Sequence, residues 1–325
     1  MSYQSGTATS LSDLVSQLDT FITGTPAWTQ DQLNTGAGQA AWHKGNTYVS
    51  VRWNTGTPLV LGLYQALGYT GGNQPGAHPD DSNNGAVSST NTVLDDERCV
   101  NDIGNGPFPS YFFFTDAAET YVHVCVEIST DVFRHFGFGL MEKVGDWTGG
   151  EYVYGQYWAG NVGAVSTSHA IMLDGLFGDS GNRARAATLH VEGLTGQAGS
   201  SKWMEVGGLS TAPGNDTAGN ARILGLGGLR SGPIARNFGF MSAGATSGLI
   251  PSYPIGLFYR RISTTDAYFL GYQKDVRGVN IRFINPKDEI TIGAQVWKFF
   301  PVSQKTTASV ANRSYHSGVM YAKIT

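Results

Sequence analysis

One run of alternation constrains this chain more than any other feature. Val122, Val124, Val126 and Ile128 alternate with Tyr121, His123, Cys125 and Glu127. A period of two belongs to an extended strand with one buried face. The run lies inside a longer stretch, 111–158, which opens with Tyr111, Phe112, Phe113 and Phe114 and closes with Tyr152, Val153, Tyr154, Tyr157 and Trp158. Aromatic and β-branched segments cut by glycine predict the central strands of the fold, joined by tight turns.

Around this centre the chain reads as follows. Leu11, Leu14, Val15, Leu18, Phe21 and Ile22 recur at helical spacing, with Ser10 as N-cap and Asp13 three residues on to support it. Gly24 and Pro26 end this helix, and Trp28 is expected to dock the turn that follows. Residues 45–53 read as a strand. Residues 59–69 are either a buried strand or a short helix, which periodicity alone does not separate. From 70 to 91 the chain is rich in turn formers and nearly free of apolar residues, so a long exposed loop is expected, either functional or ordered by a partner. Strand patterns return over 255–270, 279–284, 290–300 and 318–324, with a turn at Asn285-Pro286-Lys287-Asp288. The expectation is a mainly β (α+β) fold: a β-sandwich-like core with an N-terminal amphipathic helix and long Gly-rich loops. Three parts are expected. Residues 1–159 carry the helix and β-rich core, 160–250 form a Gly-rich insertion or subdomain, and 251–325 complete the core.

Composition limits the function. With 44 glycines, 12% aromatics and only 14% charged residues, the chain is neither disordered nor clothed in charge. Interface cores share this depletion of charge and enrichment in aromatics, so cover by other subunits is expected. The net charge of −4 includes no basic block, which gives no electrostatic footprint for nucleic acid. The first residues lack a secretory pattern, and no apolar run has the ~18 residues that span a bilayer. Cys99 and Cys125 are far apart and read as reduced thiols.

The residues that could carry chemistry form no constellation. His123 and Cys125 share a strand face and could ligate zinc with His135, but zinc needs three or four clustered ligands. A surface facing solvent or another subunit is the simpler reading of that face. Asp80 and Asp81, Asp95, Asp96 and Glu97, and Asp288 and Glu289 are acidic neighbours of the kind that hydrolyse glycosides, although such pairs are usually solvated turn residues. Gly225-Leu226-Gly227-Gly228-Leu229 lacks dinucleotide spacing, and no Gly-x-Ser-x-Gly elbow is present. Ser168-His169 is a chance-level neighbour pair, and Arg183 and Arg185 read as a solvated face. No catalytic, cofactor-binding or metal residue, no cofactor and no enzyme activity are expected.

Phe133-Arg134-His135-Phe136-Gly137-Phe138-Gly139, followed by Gly145-Asp146-Trp147-Thr148-Gly149-Gly150, resembles a segment of structural proteins from contractile- and long-tailed bacteriophages and related prophages. Trp297-Lys298-Phe299-Phe300-Pro301, with Ser317-Gly318 and Tyr321-Ala322, is similar to the close of those proteins. The polar start that leads into a helix ending near Trp28 is similar as well. The resemblance runs along most of the chain, and its strongest motif is the central one. It implies a virion component of the neck, tail or baseplate, working by self-assembly in a homo-oligomeric ring and by contacts with other virion proteins. It brings no catalytic residues. Aromatic abundance also suits a second expectation, a carbohydrate-binding receptor-recognition module at a tail tip. A third is a glycan-cleaving enzyme using Asp95 or Asp96.

Overall fold

The computed structural model describes residues 2–24, 28–53, 60–73, 75, 77–80, 82, 100–118, 120–155, 187–194, 202–207, 221–225, 252–261, 267–281, 283–301 and 317–323. It opens with β1 (Tyr3–Ala8) and then α1 (Leu11–Thr23). Ser10 Oγ accepts from the Asp13 amide at 3.1 Å, and Asp13 accepts from the Thr9 amide at 2.7 Å. The first bond satisfies a first-turn donor, as the sequence predicts, and the second ties Asp13 back to the residue before the cap. The backbone hydrogen bond from Thr9 outweighs desolvation and holds the Asp13 carboxyl below its usual range. The predicted apolar stripe, Leu11, Leu14, Val15, Leu18, Phe21 and Ile22, is buried throughout.

Five antiparallel strands follow as a small sheet in the order β2-β3-β4-β5-β6: β2 (Thr29–Asn34), β3 (Gln39–Lys44), β4 (Thr47–Trp53), β5 (Val60–Ala66) and β6 (Val100–Asp102). The stretch that sequence left between strand and helix is thus a strand. Trp42 Nε1 donates to Asp19 at 2.7 Å and Trp53 Nε1 to Ser12 at 3.1 Å, which fastens the helix to this sheet.

The remaining strands are β7 (Phe108–Phe114), β8 (Tyr121–Ser129), β9 (Val132–Leu140), β10 (Glu142–Lys143), β11 (Thr148–Tyr154), β12 (Ala187–Glu192), β13 (Trp203–Gly207), β14 (Ala221–Gly225), β15 (Ser252–Arg261), β16 (Ala267–Asn280), β17 (Glu289–Ile292), β18 (Gln295–Pro301) and β19 (Ser317–Lys323). With β1 they form one 14-stranded sheet, ordered β1-β7-β8-β9-β11-β12-β13-β14-β15-β16-β19-β18-β17, with β10 beside β16. The pairing is antiparallel except between β13 and β14. The described parts of 160–250 contribute β12, β13 and β14 to this sheet. Trp158 and most of the Gly-rich range lie outside the described residues.

This long sheet doubles back on itself, because the side chains of its first strands meet those of its last. Phe112, Phe114, Phe133, Tyr152 and Tyr154 from the first half share a core with Leu257, Leu270, Val276, Phe300 and Tyr321 from the second. On its other face the first half packs against α1 and the small sheet, through Phe113, Val122, Val124, Val126, Phe136 and Phe138. Trp28 closes that core edge-on to Phe138, 5.3 Å between ring centroids. The β-rich, sandwich-like expectation therefore holds, but β8 corrects it in one respect. Every residue from Tyr121 to Glu127 is buried, so both faces of the strand are covered.

Candidate functional site

The face of β8 that carries Tyr121, His123, Cys125 and Glu127 was expected at a surface. It looks instead into the second half of the chain. Glycine makes this possible. A Cβ at Gly137 would stand 2.6 Å from both Tyr154 Cε1 and the Val122 carbonyl oxygen, so only glycine lets the Tyr154 ring cross β9 at that point. Tyr154 then reaches His123, 3.0 Å from Oη to Nδ1, while His123 Nε2 meets the Lys274 carbonyl at 3.0 Å. One strand over, His135 Nδ1 lies 2.9 Å from Tyr321 Oη and its Nε2 lies 2.9 Å from the Pro301 carbonyl. Through these two contacts Tyr154 and Tyr321 each bond one histidine of the seam.

Burial sets the electrostatics of this seam. It pushes both imidazoles down and the Tyr154, Tyr321 and Cys125 protons well up, so all are neutral near pH 7. Both ring nitrogens of each histidine are already engaged, which leaves neither for a metal. Among the described residues no group of three or more His, Cys, Asp or Glu could hold one. Glu127, at the end of the face, accepts from the Asp131 amide at 3.0 Å, from Lys287 Nζ at 3.2 Å and from Ser110 Oγ. Burial works to raise its carboxyl, but these donors outweigh it and hold the group below the usual range.

A second polar cluster, which sequence reading missed, lies where β11, β12 and β13 meet. His190 Nδ1 is 2.7 Å from Glu151 and its Nε2 is 2.7 Å from Glu192. Burial opposes a charge there, yet the two carboxylates raise the imidazole above its ordinary value. Lys202 binds Asp80 at 2.9 Å, and Trp203 Nε1 donates to the Asp80 carbonyl at 2.6 Å. Asp80 is thus a tether between its loop and the sheet. Asp288 closes the turn at Asn285 by accepting from its amide at 2.9 Å, and Glu289 pairs with Lys298 at 2.9 Å and Lys323 at 3.0 Å. Asp81, Asp95, Asp96, Glu97, Cys99, Ser168, His169, Arg183, Arg185 and residues 226–229 lie outside the described residues, as does most of the 70–91 loop.

The second half of the large sheet also carries exposed apolar side chains. Tyr268 is 56% exposed, Phe269 39%, Phe283 67% and Ile292 49%. Phe269 stands 5.1 Å from Phe258 and 6.5 Å from Tyr272, ring to ring, on the face opposite buried Leu257 and Leu270. Phe283 lies within the strand pattern read over 279–284, but a turn closed by Ile284 N donating to the Ile281 carbonyl at 3.1 Å follows β16 there, and Ile281 and Ile284 are buried while Phe283 is exposed. Among the described residues β17, which carries Ile292, ends the strand order of the sheet. No family model matches the chain, and no curated protein does. Among the described residues, no helix is long and apolar enough to cross a membrane. What this arrangement offers is a set of exposed apolar side chains and an internally bonded core.

Proposed function

We propose that the chain is a structural subunit of a tailed-bacteriophage virion, in the neck, tail or baseplate, acting by self-assembly and by contacts with neighbouring virion proteins. The observation that carries this reading is the exposed apolar set Tyr268, Phe269, Phe283 and Ile292, together with the edge strand β17. Exposed apolar groups, and a strand at the end of a sheet, are features of surfaces that another chain covers. The resemblance of 133–150 and 297–301 to phage structural proteins supports the same reading. The residues behind it, Phe133, His135 and Phe300, stand in one aromatic cluster with rings 5.4 and 6.4 Å apart.

The test is the mass of the purified protein by light scattering, followed by electron microscopy. A closed ring is the expected result, because symmetric homo-oligomers reuse one interface. A stable monomer that binds glycans on an array would replace this reading with the receptor-recognition module.

A further inference from the structure

The bulge in β11 builds a second joint between strands, apart from the seam. Thr148 pairs with Glu192 and Gly149 with Val191, but Tyr152 pairs with Leu189, so Gly150 and Glu151 share the place opposite His190. Gly149 has φ +112°, and a Cβ there would stand 2.2 Å from the His190 carbonyl oxygen, so glycine lets the strands approach. Glu151 then meets His190 Nδ1 at 2.7 Å, and Glu192 meets Nε2 at 2.7 Å. The imidazole is 5% exposed, with the Trp203 ring 5.2 Å away. An ionised carboxylate only accepts, and a neutral imidazole has one N–H. Two such contacts need two N–H groups, which makes His190 an imidazolium. Among the described residues the ring has no further polar partner. From His190 the charges alternate outward: Glu192 lies 3.8 Å from Lys202 Nζ, and Lys202 Nζ lies 2.9 Å from Asp80. The Asp80 segment is also held by the Trp203 indole on the Asp80 carbonyl, at 2.6 Å, and by the Leu67 amide on the Pro79 carbonyl, at 3.2 Å.

We propose that His190 is a pH-gated joint: while its ring holds two protons Lys202 belongs to Asp80, and loss of one proton hands Lys202 to Glu192 and loosens the Asp80 segment from the sheet. A neutral imidazole keeps one of its two contacts. It keeps Glu151, whose side chain is 14% exposed, and releases Glu192, which at 37% is the carboxylate that water can take. Freed of the imidazolium, Glu192 is a negative charge without a close partner, and the ammonium of Lys202 is already near it. The groups facing the ring place this change on the alkaline side. Burial opposes its charge, but Glu151 and Glu192 outweigh burial and hold the imidazole above its ordinary 6.5. Glu151 stays ionised: burial works to raise its carboxyl, while the His190 bond, its own amide and Lys143 on β10 hold it below the usual range. Trp203, on β13, adds no charge.

The experiment follows the full chain from pH 6 upward by imidazole nitrogen-15 NMR and by amide hydrogen exchange, with the intrinsic pH dependence of exchange divided out. His190 is expected to keep its charge above 6.5 and to lose it in one step. Over that step the protection of the Leu67 amide, bonded to the Pro79 carbonyl, and of the Ser82 amide, bonded to the Gln65 carbonyl, should fall roughly two- to fivefold, the worth of one exposed ion pair. Glu192→Gln puts an amide that can donate to Nε2 beside the ring, so a neutral imidazole serves both contacts, and it leaves no charge to draw Lys202 from Asp80. This variant should lose the His190 charge at lower pH and show no fall in protection over the wild-type step. Asp80→Asn should leave the His190 titration in place, with the protection reduced from the start and constant. The proposal is overturned if His190 titrates at or below 6.5, if Leu67 and Ser82 keep their protection through its titration, or if the protection in either variant responds like wild type. Should Glu192→Gln not fold, the wild type and Asp80→Asn decide.

Discussion

Phe300 is the residue whose truncation tests the doubled-back sheet most directly. It is fully buried on β18 and meets Phe112, Phe114 and Phe133 at 4.9, 6.2 and 5.4 Å, and Tyr321 at 6.0 Å, between ring centroids. Three of those rings belong to the first half of the sheet, so Phe300 is where the halves grip. Removing a buried phenylalanine costs about 3–5 kcal/mol. The upper half of that range is expected, about 4–5 kcal/mol, because the neighbours are rings braced on both sides and cannot collapse into the space. Phe300→Leu keeps most of the volume and should cost about 1–2 kcal/mol. Urea unfolding followed by tryptophan fluorescence and circular dichroism reads both. With a slope of about 3 kcal/mol per molar, the alanine midpoint should fall by roughly 1.5 M and the leucine midpoint by about 0.5 M. Coincident transitions by the two probes are the condition for this conversion. An alanine shift under about 0.5 M, or equal shifts for both variants, would refute a core shared between the two halves.

Further expectations can be read from single sites. Gly137→Ala places a Cβ 2.6 Å from a backbone oxygen that cannot rotate away, so a loss of about 1–3 kcal/mol is expected in melting experiments; an unchanged midpoint contradicts the close crossing of Tyr154. Trp147 is buried, and its Nε1 donates to the Val144 carbonyl at 3.1 Å, so Trp147→Ala should cost about 3–5 kcal/mol, and a wild-type melting temperature would place it outside the core. Burial lowers both His123 and His135 from their ordinary value of 6.5, so the unfolded chain binds protons first. Stability should be complete above that pH and fall as pH drops through it; a urea midpoint unchanged between pH 7.5 and 5.5 contradicts this. Phe283→Ser with Ile292→Ser should abolish association while leaving the melting temperature of the monomer within a few degrees. Intact oligomers in light scattering would remove these residues from the interface.

The helix was legible because its stripe, cap and stop lie within fifteen or so residues of one another, where local rules operate. The strand over 121–128 was legible from period two for the same reason, whereas β1, β2 and β3 fall where no strand was read and β5 was left between strand and helix. What β8 packs against was not, since Tyr121, His123, Cys125 and Glu127 look like a wet face by composition. The groups that let this face be dry are the Lys274 and Pro301 carbonyls, 151 and 166 residues away in sequence from the histidines they bond. The His190 cluster left one local trace, a histidine and a glutamate two apart on one strand face, but Glu151 comes from 39 residues earlier. The strand read over 279–284 ran past Asn280, where β16 ends, because its apolar pattern carries on into the turn at 281–284.

The doubled-back sheet has a consequence for how the chain is made. Strands β7, β8 and β9 are neighbours in sequence and can pair as soon as they are synthesised. Their inner face, however, is covered by β16, β18 and β19, which follow only from Ala267 onward. Until then Phe112, Phe114, Phe133 and Tyr154 line an open apolar slab. Long-range closure of this kind is slow and leaves intermediates prone to aggregate. A nascent chain stalled before position 295 would be expected to depend on a chaperone, whereas one stalled after 323 and clear of the exit tunnel would not.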